Sequence, residues 1–261
     1  MTQPLEDTLE LMRDLRKRCE WDAAQTHESL RPYLLEEAYE VDEAITGGDD
    51  RQLREELGDL LFQVLFHSVV AEERGAFTMD DVANTFIAKM KARHPHLYGD
   101  GARAPWEQQK AKQRERLADG LPVGLPGLHR AFRLQERAAG VGFDGPDGAG
   151  PLAKVEEELG EVRAELATMP ERPVPGPLYD DAHAGLEAEM GDLLFAVVNV
   201  CRKAGVHPAL ALDRANAKFV RRFQRIEDLA TQRGVDVRSA GLEALDRLWD
   251  EVKAAERGTA R

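Results

Sequence analysis

The apolar residues of this chain recur at helical rather than alternating spacing. Side chains three or four positions apart lie on one face of an α-helix, so each such run predicts an amphipathic helix. The pattern resumes at Leu128 after an interruption, and we therefore expect an all-α protein. In the first hundred residues, helices are predicted for the segment carrying Leu5, Leu9, Met12 and Leu15, and over residues 29–46, 51–74 and 79–93.

Five short motifs occur twice in the same order, which indicates two copies of one helical unit. In the first half they are EWD at 20–22, EEAYEV at 36–41, ELGDLLF at 56–62, Gly75, and AKMKAR at 88–93. In the second half they are GFD at 142–144, EELGEV at 157–162, EMGDLLF at 189–195, Gly205, and AKFVRR at 217–222.

A stretch rich in proline and glycine, HPHLYGDGARAP, ends the first helical pattern. We predict an N-terminal helical domain over residues 1–100, a charged helical connector over 101–127, and a C-terminal helical domain over 128–261. Between its two acidic motifs the second copy contains PERPVPGP, which predicts a loop. This loop is either a solvated insertion or a flap over the second acidic motif.

The acidic motifs place carboxylates where a helix buries its apolar face. Glu36, Glu37 and Glu40 form one strip, and Glu56 and Asp59 form another, since residues three or four apart share a face. If the helices pair, the strips face each other, and two carboxylates ~4 Å apart repel by roughly 4 kcal/mol at an effective dielectric near 20. The pattern predicts a cation between them.

Carboxylate oxygens favour a hard cation, which here means Mg²⁺, with Mn²⁺ as the alternative. Neither acidic motif contains Cys or His, which disfavours zinc, and no histidine follows a glutamate by three residues as di-iron bundles require. The alternative is a solvated helix face with salt bridges. The apolar neighbours and the repetition of the whole arrangement argue against it.

Each copy also carries a basic pair at helical spacing, Lys89 with Arg93 and Lys218 with Arg222. A hard cation beside such a pair suits a polyphosphate, although a basic pair alone is common on soluble surfaces. Trp21 and Phe143 precede an aspartate in matching places, where either base stacking or core packing would use the ring.

The composition of the 261-residue chain limits its partners. A net charge of -13 argues against a nucleic-acid surface or an anionic membrane surface. The sequence shows neither a signal peptide nor a membrane-spanning run. Cys19 and Cys201 lie far apart and belong to no metal-ligand pattern, so we expect both to be buried thiols. We expect a cytoplasmic protein that binds neither nucleic acid nor membrane.

The paired motifs EEAYE with ELGD and EELGE with EMGD resemble the signature of the all-α nucleoside triphosphate pyrophosphohydrolases. The segments RHPHLYGD, VGFD and ANAKFVRRF are similar to the MazG family in particular, and the resemblance extends from about residue 8 to Trp249. It implies Mg²⁺-dependent hydrolysis of a nucleoside triphosphate to the monophosphate and pyrophosphate. It also implies a role in sanitation of the nucleotide pool. It also implies a homodimer in which two chains complete four-helix-bundle sites.

The resemblance further assigns roles to individual residues. It implies metal ligands at Glu37, Glu40, Glu56, Asp59, Glu158, Glu161, Glu189 and Asp192. It implies that Glu36 and Glu157 orient or deprotonate the attacking water. It implies nucleotide contacts at Lys110, Lys218, Arg222 and Trp249, with Trp21, Lys89 and Arg93 as counterparts in the first copy.

Two other functions stay open at this point. One is a non-catalytic metal-binding or nucleotide-binding regulatory module, and the other is phosphoribosyl-ATP pyrophosphohydrolase, which shares the acidic motif but is usually one short unit. The chain also departs from the MazG pattern before its second ExxD motif, where Gly185 and Ala188 replace charged residues that are frequent in the family.

Overall fold

The computed structural model describes residues 4–99, 107, 110, 114–145, 149–168 and 183–259. All regular secondary structure in these ranges is helical, which confirms the all-α prediction. The chain divides into two compact units, Met1–Arg103 and Ala104–Arg261. This division lies near the predicted boundary at residue 100, and the assignment of each unit as one copy of a repeat stays a prediction.

The first unit contains the four helices predicted from the apolar spacing and two shorter ones. They are α1 Pro4–Arg18, α2 Glu20–Ala24, α3 His27–Gly47, α4 Asp50–Glu73, α5 Met79–Arg93 and α6 Pro95–Tyr98. Helix α4 packs against α1, α3 and α5. The core lies on the C-terminal half of α4, where Phe66 is fully buried and contacts Met12 of α1 and Leu30 of α3 within one apolar cluster.

Helices α3 and α4 form a hairpin because the chain between them is short and its end residues suit a turn. Thr26 begins α3 through a capping box with Ser29. Gly48 ends α3 at φ 73°, a left-handed conformation that glycine adopts without strain. The side chain of Asp49 then accepts hydrogen bonds from the first backbone amides of α4. The first two acidic motifs therefore lie on the two helices of one tight hairpin.

The second unit contains five helices among its described residues: α7 Gly127–Gly140, α8 Ala149–Thr168, α9 Ala184–Lys203, α10 Pro208–Gln232 and α11 Leu242–Thr259. Helix α9 packs against α8 and α7, while α10 packs against α11 and contacts α7. A second apolar cluster, which includes Ile226 and Leu248, joins α10 to α11. The unit thus places the two acidic motifs of the second half on adjacent helices.

Two predicted segments fall largely outside the described residues. The proline-rich loop at PERPVPGP lies wholly outside them. Within the charged helical connector predicted over residues 101–127, Glu107 and Lys110 are helical, whereas residues 115–117 form bends and a turn. Cys19 and Cys201 are half-buried rather than fully buried. Within the described ranges, no helix combines the length and the apolar character that crossing a bilayer requires.

Two histidines lie in contact between the start of α3 and the middle of α4. The Nδ1 atoms of His27 and His67 are 2.8 Å apart, and the two rings stack with centroids 5.1 Å apart. One Nδ1 must therefore carry a proton and donate it to the other. Burial, followed by the proximity of His27, lowers the pKa of His67 below its ordinary value.

This pair makes stability depend on pH. Because the pKa of His67 is lower in the folded chain, the unfolded chain takes up a proton first as the pH falls below about 6.5. The free energy of unfolding keeps its full value above that pH. It decreases as the pH falls from there towards the lowered pKa of His67. We expect the midpoint of urea unfolding to drop between pH 7 and pH 5, and to drop less in His67→Gln.

The matched control for this prediction is His96→Gln, which removes an exposed imidazole from the same unit. Its pH dependence should equal that of the wild type. An unchanged pH dependence in His67→Gln would show that the histidine pair does not titrate as inferred.

Candidate active site

The first acidic cluster lies across the α3–α4 hairpin. Glu37 of α3 approaches Glu56 and Asp59 of α4, with carboxylate oxygens within 4.8 Å of one another. Burial raises the pKa of Glu37, and the charges of Asp59 and Glu40 raise it further. Glu36 adds to the same effect. The prediction that the two acidic strips face each other is confirmed for these residues.

The second acidic cluster repeats this arrangement on α8 and α9. Oxygens of Glu158, Glu189 and Asp192 also lie within 4.8 Å of one another. The adjacent carboxyl group of Glu158 raises the pKa of Glu161, and burial and the charge of Glu189 raise it further.

A lysine accompanies the second cluster. Lys154 Nζ lies 2.8 Å from Glu157 Oε1 and 2.6 Å from Glu158 Oε1, one turn further along α8. These contacts raise the pKa of Lys154 and lower the pKa of Glu158. The corresponding position before the first motif, three residues ahead of Glu36, is Tyr33. The two clusters therefore differ by one positive charge.

The carboxylates are less buried than their apolar surroundings in the sequence led us to expect. Glu158 is 4% exposed, whereas Glu40, Asp59, Glu161 and Asp192 are exposed. The physical reason is that each hairpin supplies only two helices, so one side of each cluster remains open. Several of the apolar neighbours, including Leu35, Tyr39, Leu57, Met190 and Leu194, are also exposed.

The donor set fits a hard divalent cation. Each cluster offers only carboxylate oxygens, the ligand type that Mg²⁺ and Mn²⁺ prefer. Glu158 Oε2 is buried and has no hydrogen-bond partner among the described residues. A buried carboxylate oxygen left in this way is costly unless a cation or donor meets it. Both clusters are thus chemically suited to hold a metal ion.

A cavity of about 1040 Å³ borders the second cluster. Glu158, Asp192 and Lys154 lie at one part of its wall, and apolar side chains form much of the remainder. The apolar residues are Leu117, Leu134, Ala138, Phe143, Pro151, Phe195 and Ala196. Binding sites for small molecules usually combine such an apolar wall with a few polar groups at one end.

The basic and aromatic residues predicted to contact nucleotide lie in several places. Lys89 and Lys218 are exposed, and Arg93 is half-buried. Arg222 donates to Glu256 Oε2 at 2.8 Å and lies over the ring of Trp249, with 5.6 Å between its guanidinium carbon and the ring centroid. This pairing brings two of the predicted residues together on α10 and α11.

The other two predicted contacts lie elsewhere in their units. Lys110 Nζ lies 3.2 Å from Glu107 Oε1, and Arg133 and Arg114 bind the same carboxylate. Trp21 is half exposed, and its ring meets Tyr33 and Phe66 edge to face. None of the four predicted contacts of the second copy lies among the residues that line the cavity.

Sequence reasoning missed several residues of the cavity wall. Lys154 had a detectable signal, because it precedes Glu157 and Glu158 by three and four positions and so shares their helix face. Gln135 and Arg202 had none. Gln135 reaches the cavity from α7, and a separation of 60 residues lies between it and its partner Phe195. Arg202 reaches the cavity from the C-terminal end of α9, where it binds Asp144 from the segment after α7.

Several known proteins and one family model are similar to this chain. The MazG nucleotide pyrophosphohydrolase domain matches residues 25–98, which include the first acidic cluster. The nucleoside triphosphate pyrophosphohydrolase/pyrophosphatase MazG of Thermotoga maritima is 41% identical over 261 residues, covering 96% of each chain. The chain belongs to the MazG family. This confirms the resemblance noted in the sequence.

Other MazG relatives show how far the similarity extends. The nucleoside triphosphate pyrophosphohydrolase of Escherichia coli K12 is 40% identical over 260 residues, covering 95% of each chain. That of Mycobacterium tuberculosis is 43% identical over 149 residues, or 53% of this chain and 46% of that protein. The family is one of metal-dependent hydrolases, and both acidic clusters provide residues that can hold a metal.

Metal binding by the clusters can be measured through stability. A cation at a hundredfold its dissociation constant stabilises a folded protein by about 2.7 kcal/mol. We expect Mg²⁺ to raise the melting temperature of the wild type and EDTA to reverse the change. Glu37→Gln and Glu158→Gln should each reduce the rise, and the double variant should abolish it.

Glu55→Gln and Glu187→Gln serve as matched controls, since each removes an exposed carboxylate outside the clusters, from the helices α4 and α9 that carry the other cluster residues. They should retain the full rise. A double variant that Mg²⁺ still stabilises like the wild type would place the metal elsewhere.

Proposed function

We propose that the second acidic cluster hydrolyses nucleoside triphosphates between the α and β phosphates. The reaction class follows from the family: MazG proteins convert a nucleoside triphosphate to the monophosphate and pyrophosphate. The observation that carries the choice of cluster is the cavity beside Glu158 and Asp192, which has room for a nucleotide. An apolar wall for the nucleoside and an acidic end for the metal-bound phosphates suit this substrate.

We propose Mg²⁺ as the cation, with Mn²⁺ able to replace it. In the second site the ion would be held by four carboxylates, those of Glu158, Glu161, Glu189 and Asp192. In the first site it would be held by Glu37, Glu40, Glu56 and Asp59. When bound, such an ion neutralises phosphate charge and polarises the scissile phosphoryl group. Both clusters support this assignment through their carboxylate-only donors.

The water that attacks phosphorus needs a base or an orienting group near the ligands. We assign this role to Glu157, and to Glu36 in the first unit. Glu157 is exposed and binds Lys154, so its carboxylate is held beside Glu158 without being buried. Phosphoryl transfer depends mainly on positioning and charge neutralisation, which fits a site built without a strong nucleophile.

Lys154 would change partners when the site is loaded. Its ammonium group offsets the charge of Glu157 and Glu158. A cation bound by Glu158 would take over that role, and Lys154 would then be free to bind a phosphate oxygen. Our proposed nucleotide contacts remain those implied by the family resemblance. They are Lys110, Lys218, Arg222 and Trp249, with Trp21, Lys89 and Arg93 in the first unit.

We also propose that the protein is a homodimer. Exposed apolar side chains on α3, α4, α8 and α9 accompany the open sides of both clusters. A second helical hairpin packed there would complete a four-helix bundle and remove this apolar surface from water. Cytoplasmic location, a role in sanitation of the nucleotide pool and the absence of nucleic-acid or membrane partners stay predictions.

Two other functions give different outcomes in one assay. A regulatory module would bind metal and nucleotide without releasing pyrophosphate. Phosphoribosyl-ATP pyrophosphohydrolase would prefer phosphoribosyl-ATP over nucleoside triphosphates. A panel of common triphosphates, damaged triphosphates and phosphoribosyl-ATP, with pyrophosphate release as the readout, separates all three. The relatives that span nearly the whole chain favour the triphosphates.

Substitution of one ligand in each cluster tests which cluster works. We expect Glu161→Gln to reduce Mg²⁺-dependent pyrophosphate release by more than about a hundredfold, because losing even a group that supports a ligand costs about 10- to 100-fold. Glu40→Gln should retain most of the activity. Circular dichroism should show unchanged helix content in both.

The opposite pattern would move the activity to the first cluster. Normal turnover in both variants would remove the acidic clusters from the mechanism. Glu187→Gln, which removes an exposed carboxylate of α9 outside the second cluster, provides a control for loss of charge alone.

A further inference from the structure

An exposed aromatic side chain stands at the cavity of the second unit. Phe143 is 83% exposed and lines the cavity. Such exposure is unusual for a phenylalanine, and it excludes the core packing considered from the sequence. The residue follows α7 in the short segment 141–145, on the cavity that also borders Glu158 and Asp192.

The backbone around Phe143 is held from both sides although its ring is not. The amide of Phe143 donates to the carbonyl of Ala138 at 2.9 Å. Asp144 lies 2.7 Å from Arg202 Nη2 and 2.8 Å from Lys203 Nζ, and these partners lower its pKa to about 2. The ring therefore projects from a fixed segment.

The cavity lining also contains a buried polar atom without a hydrogen-bond partner among the described residues. Gln135 is 7% exposed, and its amide nitrogen donates to the carbonyl of Phe195 at 2.8 Å. Its carbonyl oxygen has no hydrogen-bond partner among the described residues. A buried acceptor of this kind favours a ligand that carries N–H groups over a purely apolar one.

We propose that Phe143 stacks on the nucleobase of the substrate, and that the apolar cavity is the nucleobase subsite of the second unit. The inference rests on the proposed function, because it takes the acidic end of the same cavity as the place of the phosphates. A ring on a rigid backbone loses little entropy when a planar base covers it. Aromatic stacking tolerates every base, so the subsite sets affinity for nucleosides more than choice among them.

The test compares a nucleotide with a ligand that has phosphates but no base. The affinity of Phe143→Ala for a non-hydrolysable α,β-methylene nucleoside triphosphate should fall at least about fivefold, since stacking on an aromatic ring contributes that much or more per base. The affinity for inorganic tripolyphosphate should not change. Phe143→Trp should retain nucleotide affinity, and Phe143→Leu should not restore it.

Kinetics and fluorescence add independent readouts. With a hydrolysable triphosphate, Phe143→Ala should raise KM and leave kcat within about twofold, because the ring does not touch the scissile bond. In Phe143→Trp, the analogue should quench the new indole and tripolyphosphate should not. Phe77→Ala is the matched control, since it removes an exposed phenylalanine from a loop of the first unit.

The outcomes separate the subsite from the activity. Equal nucleotide affinity in Phe143→Ala and the wild type overturns the subsite while normal turnover preserves the proposed function. A parallel loss of tripolyphosphate affinity also overturns it, because the ring would then act through the acidic site. A wild type that binds the analogue through Phe143 without releasing pyrophosphate would overturn the function and preserve the subsite.

Discussion

Repulsion among clustered carboxylates is the constraint on which both units depend. Each hairpin brings acids from two helices within 4.8 Å of one another, an arrangement that costs free energy unless positive charge or protons offset it. The second unit offsets part of this cost within its own chain, through the ion pair of Lys154 with Glu158. In the first unit, burial and neighbouring charges raise the pKa of Glu37. Folding thus maintains two carboxylate clusters that attract positive charge.

The two clusters share their geometry but differ in their surroundings. Tyr33 stands where the second unit has Lys154, so the first cluster lacks that internal counterion. The second cluster opens onto a cavity with an apolar wall, and its most buried carboxylate, Glu158, forms part of that wall. Duplication followed by divergence of such neighbours would allow one copy to specialise in catalysis while the other retained metal binding. Two acidic motifs with the same spacing of carboxylates can therefore belong to sites of unequal function.

Two ion pairs of the second unit hold the segment that carries Phe143, and they lie apart from the acidic cluster along α9. Asp144 is fixed by Arg202 and Lys203, from the end of the helix that also carries Glu189 and Asp192. The same helix thus carries carboxylates of the acidic cluster towards one end and anchors the segment of Phe143 at the other. A single rigid element can in this way set the distance between a phosphate site and a nucleoside site, which is the dimension a nucleotide-binding enzyme must control.

The sequence by itself determined the helical class, the bounds of α3, α4 and α5 to within about two residues and the pairing of the acidic motifs, because helical periodicity is a local property. It also identified the family. Only the tertiary structure decided which side chains are buried, where the cavity lies and that Phe143 is exposed. The reason is that Gln135 with Phe195, and Asp144 with Arg202, meet across about sixty residues of chain, and no local pattern encodes contacts of that range.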